Sequence, residues 1–441
     1  MNMVCVEELK NCNCGRPHNS AVRSKVIGKN ALELLPSELL KLGGRKAFLL
    51  ADINTYPVAG ERVEKLLLDS GIAYSKYIFK EEKLSPDERS VGSAVMHYDT
   101  SCDMVIALGS GVINDIGKIL SNISGVPYVI VATAPSMDGY ASASSSMDMD
   151  GVKVTLASKC ADIIIGDIDL IKTAPDKMLK SGLGDMLAKY ISICEWRISH
   201  EITGEYYCEK IAALVRSALN KCIANVDGLL KREDEAVQAV FEGLVTCGEA
   251  MSFAGLSRPA SGVEHYISHI WDMRALEFST PADFHGIQCA IGTLIAARIY
   301  EQVKERTPDF EKAVSYAESF DTAKWNHELR TFIGQGAEAM IALEAKEQKY
   351  NVAKHRERIK VIMEKWDKIL TIINEEVPAS AEIEALLDKL NAPKTLEDIG
   401  LDSSILPMTF KVSKDIRDKY VLSRLVWDLG IIDELEWGTK K

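Results

Sequence analysis

The first 170 residues alternate short, nearly continuous apolar runs with amphipathic stretches of helical period, and this alternation admits very few folds. Residues 46–52 (Lys-Ala-Phe-Leu-Leu-Ala-Asp), 72–79, 104–108, 127–131 and 161–166 each have strand length. Most of these runs are nearly continuously apolar, so both faces of such strands must be covered. Between them, residues 56–70 read as a helix stopped by Gly71, and a second helix follows Gly111 and runs through Leu120. Buried strands spaced by helices build a parallel sheet with helices on both faces. Residues 147–156 alternate instead, around Asp150-Gly151, which signals a hairpin.

Beyond about Asp167 the pattern turns mostly helical, over residues 175–225, 233–253 and 287–303, with a long charged amphipathic stretch at 340–375 and a tail helix at 413–429. A length of 441 residues exceeds one ordinary core. The expectation is an α/β nucleotide domain over 1–170 followed by an all-α domain over 171–441. A net charge of -12 argues against a nucleic-acid or anionic-membrane surface. No apolar stretch is long enough to span a bilayer, and residues 1–14 lack the apolar core of a signal peptide. The ten cysteines are scattered, mostly in apolar segments, as expected for reduced thiols in a cytoplasmic protein. Cys12-Asn-Cys14 with His18 nearby is C-x-C rather than C-x-x-C, and no second cysteine pair follows. A structural turn is expected there rather than a zinc site.

Three segments at the carboxyl ends of expected strands carry polar tips. Gly109-Ser110-Gly111-Val112-Ile113-Asn114-Asp115 lies between a strand and a helix. Glycines there admit a pyrophosphate, and a helix N-terminus offers N–H donors, although the Gly-x-Gly-x-x-Gly fingerprint is incomplete. Asp52 ends an earlier strand, where it can accept from a ribose or cap the next helix. Thr133-Ala-Pro-Ser136-Met-Asp138-Gly139 follows a third strand with hydroxyls and one carboxylate.

The helical half concentrates imidazoles. Three of the chain's eight histidines, His265, His269 and His285, fall within twenty-one residues. His265 and His269 are four apart, so a helix presents both from one face. Neutral imidazole is a common metal ligand. Asp185, in Gly182-Leu-Gly-Asp185, reads as the opening of a helix. Its alternatives are an ion pair with Lys189 four residues on or a ligand position beside His265 and His285. One carboxylate and two imidazoles suit zinc and related divalent ions and leave a position open for substrate. Glu264 is expected to face away, one position round the helix.

The ordered set Gly-Ser-Gly-x-x-x-Asp, Thr-x-x-Ser-x-Asp, Gly-Asp-x-x-x-Lys, Glu-His-x-x-x-His and His-Gly resembles the iron-containing alcohol dehydrogenase and dehydroquinate synthase-like superfamily. Pro259-Ala-Ser-Gly-Val-Glu-His265, Asp415-Ile-Arg-Asp-Lys-Tyr420 and Cys12-x-Cys-Gly-x-x-His18 are similar to its bacterial-type glycerol-1-phosphate dehydrogenase branch. The resemblance covers nearly the whole chain. It implies Asp185, His265 and His285 as metal ligands, and Asp138 and His269 as substrate contacts. It implies a nicotinamide nucleotide, NAD or NADP, along residues 109–115, Thr133, Ser136 and Ser142, with Asp52 at the ribose. Lys189 stands where long-chain iron enzymes carry a fourth ligand, which moves the expected metal from iron towards zinc or nickel. The implied reaction is hydride transfer at C2 between dihydroxyacetone phosphate and sn-glycerol 1-phosphate, a step of phospholipid metabolism, in a cytoplasmic homodimer. Arg258 is the expected phosphate contact, with an ion pair as its alternative role. A polyol dehydrogenase acting on free glycerol and a dehydroquinate synthase-like cyclase are the rival activities.

Overall fold

A computed structural model describes Leu9 and residues 12–437. Most of residues 1–14, on which the reading of no signal peptide rests, therefore lies outside the described residues. The chain divides into two compact units: Met1–Met186 with Lys210–Ser257, and Leu187–Glu209 with Arg258–Lys441.

The first unit holds a six-stranded parallel sheet in the order β1-β8-β5-β4-β2-β3. Its strands are β1 (Ser24–Gly28), β2 (Lys46–Asp52), β3 (Ala73–Phe79), β4 (Met104–Gly109), β5 (Tyr128–Ala132) and β8 (Ile163–Asp167). All six residues of β4 and all five of β5 are buried, as their unbroken apolar character requires. Leu49, Ile106, Val129 and Ile165 share one core with Val63 and Leu67 of helix α1 (Tyr56–Asp69). Strands β6 (Ser144–Met149) and β7 (Val152–Ala157) pair antiparallel, with Asp150 and Gly151 at φ 53° and 77° in the turn. Two successive positive φ values define the type I′ turn that Asp-Gly favours. The strand missing from the sequence reading is β1, an edge strand with only Val26 and Ile27 apolar, paired with β8 alone.

The strand order reverses direction between β2 and β4. Such a switch point is where open parallel sheets bind ligands, at the carboxyl ends of the strands. Asp52, Gly109 and Ala132 end the neighbouring strands β2, β4 and β5, and helix α2 (Gly111–Ser124) starts directly after β4.

The single boundary near 170 requires correction. Helix α3 (Asp176–Leu187) lies almost wholly in the first unit, and helix α4 (Asp234–Ala254) belongs to it as well. Phe241 of α4 packs so closely on β8 that a Cβ at Gly166 would meet its ring at 2.2 Å. Helical period alone does not tell which core a helix covers. Gly182 is equally constrained, since a Cβ there would lie 1.7 Å from the Pro135 carbonyl oxygen. Helix α3 can therefore lie directly against the loop after β5.

The second unit is helical among the described residues. Its central pair is α5 (Val263–Phe278) and α6 (His285–Lys304). The charged stretch at 340–375 is divided into Ala337–Glu347, Val352–Glu364 and Trp366–Glu376. Gln348, at φ 54°, closes the first of these. The tail is helical only from Leu422 to Asp428. Ahead of it, buried Asp415 accepts from Arg424 at 2.8 Å, Lys414 at 3.1 Å and the Trp325 indole at 2.8 Å, tying an irregular segment into the core. No described helix is long and apolar enough to cross a membrane.

Candidate active site

In the first unit the expected nucleotide residues surround the ends of β2, β4 and β5. Ser110 precedes α2, whose first N–H groups have no intrahelical acceptor. A Cβ at Gly111 would meet only Met137, at 3.5 Å, so the space beside this backbone is left open by the protein. The side chains further along α2 turn inward. Ile113 and Asn114 are buried, and Asn114 Oδ1 accepts from the Tyr128 hydroxyl at 3.1 Å. Asp115 Oδ2 accepts from the Ser146 N–H at 3.3 Å, on the hairpin. A nucleotide would therefore meet backbone at these positions more than side chains.

Asp52 Oδ1 accepts from the N–H groups of Asn54 and Thr55, both at 2.8 Å, which is the capping role raised beside the ribose one. In the loop after β5, the Thr133 N–H donates to the Gly109 carbonyl at 3.0 Å. The Ser136 carbonyl accepts from Ser181 at 2.9 Å, and Ser142 Oγ donates to the Ser144 carbonyl at 3.1 Å. Asp185 is not at a helix start but in the last turn of α3, fully buried. Its Oδ2 accepts from the Asp138 backbone N–H at 2.9 Å, so the loop carrying Asp138 and the helix carrying Asp185 hold each other. The close approach at Gly182 makes that contact possible.

In the second unit the three histidines converge. Ring centroids of His265 and His285 are 4.9 Å apart, and those of His269 and His285 are 5.7 Å apart. His265 and His269 lie one turn apart on α5, and His285 is the first residue of α6. Nitrogen donors of His265 and His285 and the thiol of Cys289 fall within 4.8 Å of one another. Donor atoms of His269, Asp272 and His285 form a second group of the same size, sharing His285.

Glu264 does not face away, which corrects the sequence reading. It is fully buried, and its Oε1 accepts from His265 Nδ1 at 2.8 Å and from the Gly262 N–H at 2.7 Å. A carboxylate on Nδ1 fixes the tautomer that leaves Nε2 unprotonated for a metal. His285 Nδ1 lies 3.1 Å from Ser268 Oγ, which also accepts from Gln288 at 3.1 Å. Both imidazoles thus have Nδ1 held by a neighbouring side chain.

Cys289 is one turn after His285, with Sγ 3.5 Å from Nε2. Burial raises its thiol, but the His265 and His285 rings outweigh that and draw it below its ordinary value. Glu195 supports the start of α5 by accepting from the Val263 N–H at 3.0 Å. Burial and the neighbouring Glu264 carboxylate push Glu195 above the ordinary range. Glu264 was named from sequence but expected to face away, and Cys289 was not singled out, although a cysteine four residues after His285 was a visible spacing.

Arg258 is buried and engaged. Its Nε donates to Glu205 at 2.9 Å, Nη2 pairs with the same carboxylate at 2.6 Å, and Nη1 donates to the Tyr420 carbonyl at 2.7 Å. Lys189 donates to the Ala260 carbonyl at 3.0 Å.

A parallel sheet with a polar carboxyl edge and a separate cluster of anchored imidazoles define a nucleotide- and metal-dependent class of enzyme. The family described as iron-containing alcohol dehydrogenase matches residues 26–175. Among solved structures, glycerol dehydrogenase from Schizosaccharomyces pombe aligns over 95% of this chain and 91% of its own, with a TM-score of 0.58 at 16% identity. That likeness bears on the fold. A glycerol-1-phosphate dehydrogenase [NAD(P)+] of Bacillus licheniformis is 32% identical over 296 residues, 66% of this chain and 74% of its own length. One from Halalkalibacterium halodurans is 28% identical over 93% of this chain and 94% of its own. The chain belongs to the glycerol-1-phosphate dehydrogenase family.

The Glu264–His265 contact predicts that Glu264→Gln weakens metal binding about tenfold while the protein stays folded. Competition titration against a chromogenic chelator measures this. Unchanged affinity would remove Glu264 from the metal centre.

Proposed function

We propose that this protein interconverts dihydroxyacetone phosphate and sn-glycerol 1-phosphate, using NAD(P) and one divalent metal ion. The observation that carries the reading is the convergence of His265 and His285, each anchored through Nδ1, in a chain of this family. Imidazole nitrogens with fixed tautomers fit a borderline divalent ion, so zinc or nickel is favoured over iron.

His265 and His285 supply two ligands, and Asp185 the third. When bound, the nicotinamide carries the hydride and the metal polarises the C2 carbonyl. The protein's own groups do the rest. The backbone from Gly109 through Asp115, with Thr133, Ser136 and Ser142, receives the nucleotide, and Asp52 receives its ribose. Asp138 holds a substrate hydroxyl. Its backbone is already fixed on Asp185, so ligand and substrate contact are set by one hydrogen bond. His269, one turn from His265, moves the proton to and from the C2 oxygen. Glu264 and Ser268 keep the ligand imidazoles from rotating. Arg258 receives the phosphate by exchanging Glu205 for it. A cytoplasmic location suits nine described cysteines that are all free thiols, and the assembly is a homodimer.

Asp185→Ala should abolish turnover and metal retention together, as read by metal analysis and NADH oxidation on one preparation. Full turnover by the metal-stripped variant in chelator would contradict the ligand set. Replacing Arg258 with lysine keeps charge but loses the fork. It should raise KM for dihydroxyacetone phosphate about tenfold with kcat little changed, and an unchanged KM would leave the guanidinium to its structural partners, Glu205 and the Tyr420 carbonyl.

A further inference from the structure

The N-terminal segment contains a second cluster of soft metal donors, separate from the histidines above. Cys12 Sγ, Cys14 Sγ and a ring nitrogen of His18 lie within 4.8 Å of one another. Cys14 Sγ is 3.1 Å from His18 Nε2. Donors around one tetrahedral zinc stand roughly 3.5–3.8 Å apart, given bonds of about 2.3 Å to sulfur and about 2.0 Å to nitrogen. These three are thus close to the spacing that zinc would impose.

The surroundings are those of a built site. His18 is buried, although residues 12–20 form neither helix nor strand. Its Nδ1 lies 3.1 Å from the Phe253 carbonyl, and donating there leaves Nε2 unprotonated and facing Cys14. That carbonyl is in the last turn of α4, and the neighbouring Ala254 carbonyl accepts from Arg16 at 2.8 Å. The segment therefore caps a helix C-terminus whose last carbonyls lack intrahelical partners. It leads directly into β1, whose Lys25 pairs with Glu249 of α4 at 2.5 Å. C-x-C without a second cysteine pair is not a zinc motif by spacing, but here the third donor is a histidine brought in by the turn at Gly15, where φ is 85°.

We propose that Cys12, Cys14 and His18 bind a structural zinc ion that fastens the N-terminal segment to the end of α4. A fourth donor, water or a further side chain, completes the shell. Binding displaces the two thiol protons to solvent and involves no redox change.

The test uses the full chain with His265→Ala and Cys289→Ala, which removes donors of the other cluster. About one zinc per chain should remain. X-ray absorption at the zinc edge should then show at least two sulfur neighbours. Adding Cys14→Ser should remove that zinc. If this variant fails to fold, cobalt exchange into the double variant with intact Cys12 and Cys14 reads the same ligands through a thiolate charge-transfer band. Loss of all zinc from the double variant, a zinc shell without sulfur, or a Cys12–Cys14 disulfide found by mass would each overturn the proposal. None of these readouts depends on turnover, so the assignment of the reaction can fail without it.

Discussion

The hydrogen bond between Glu264 and His265 is the contact on which the histidine cluster depends. A buried carboxylate is costly unless it is hydrogen-bonded, and Glu264 offsets part of this cost through Oε1, which accepts from both His265 and the Gly262 N–H, while the buried Oε2 has no hydrogen-bond partner among the described residues. The same bonds close the first turn of α5 and orient the imidazole. Helix α6 must then come close enough to bring His285 alongside. Gly292 allows this, since a Cβ there would lie 2.8 Å from the Glu264 carbonyl oxygen. Glu195 completes the arrangement on the Val263 N–H. With Glu195 pushed above the ordinary carboxylate range, the two neighbouring acids need not both carry charge. Imidazole orientation, helix start and helix packing thus share one set of buried polar groups.

The first unit solves a corresponding problem with backbone. The edge proposed for the nucleotide offers the start of α2 and the space beside Gly111, while Asn114 and Asp115 hold Tyr128 and the hairpin. Asp138 and Asp185 are linked through a main-chain donor, so shifting either the loop after β5 or the end of α3 disturbs both. Substitutions at Gly182 should therefore act on this pair without touching substrate.

Much of this was legible in sequence because the signal was physical. Unbroken apolar runs such as those of β4 and β5 can only be doubly covered strands, and Asp150-Gly151 can turn with two positive φ values. The His265–His269 spacing placed both rings on one helix face. What was not legible depended on tertiary contact. Helix α4 has the period of any amphipathic helix, and only Phe241 against Gly166 shows which core it covers. Glu264 was expected to face away from the histidines on helical geometry, yet the helix is buried at that position and the carboxylate turns back onto His265. Asp185 followed two glycines that look like a helix start, whereas Gly182 serves close packing inside the helix. Cys12, Cys14 and His18 lack the C-x-x-C spacing of common zinc sites, and their proximity comes from a turn rather than a repeat.

A metal held by the histidine cluster is proposed to serve reduction of a phosphorylated ketone at C2. The most direct test follows NADH oxidation with dihydroxyacetone phosphate, comparing metal-stripped protein with the same protein reloaded with zinc or nickel and determining the chirality of the product. No turnover is expected without metal, with recovery on reloading and sn-glycerol 1-phosphate as the product. Turnover that ignores the metal, or reduction confined to unphosphorylated dihydroxyacetone, would contradict that role.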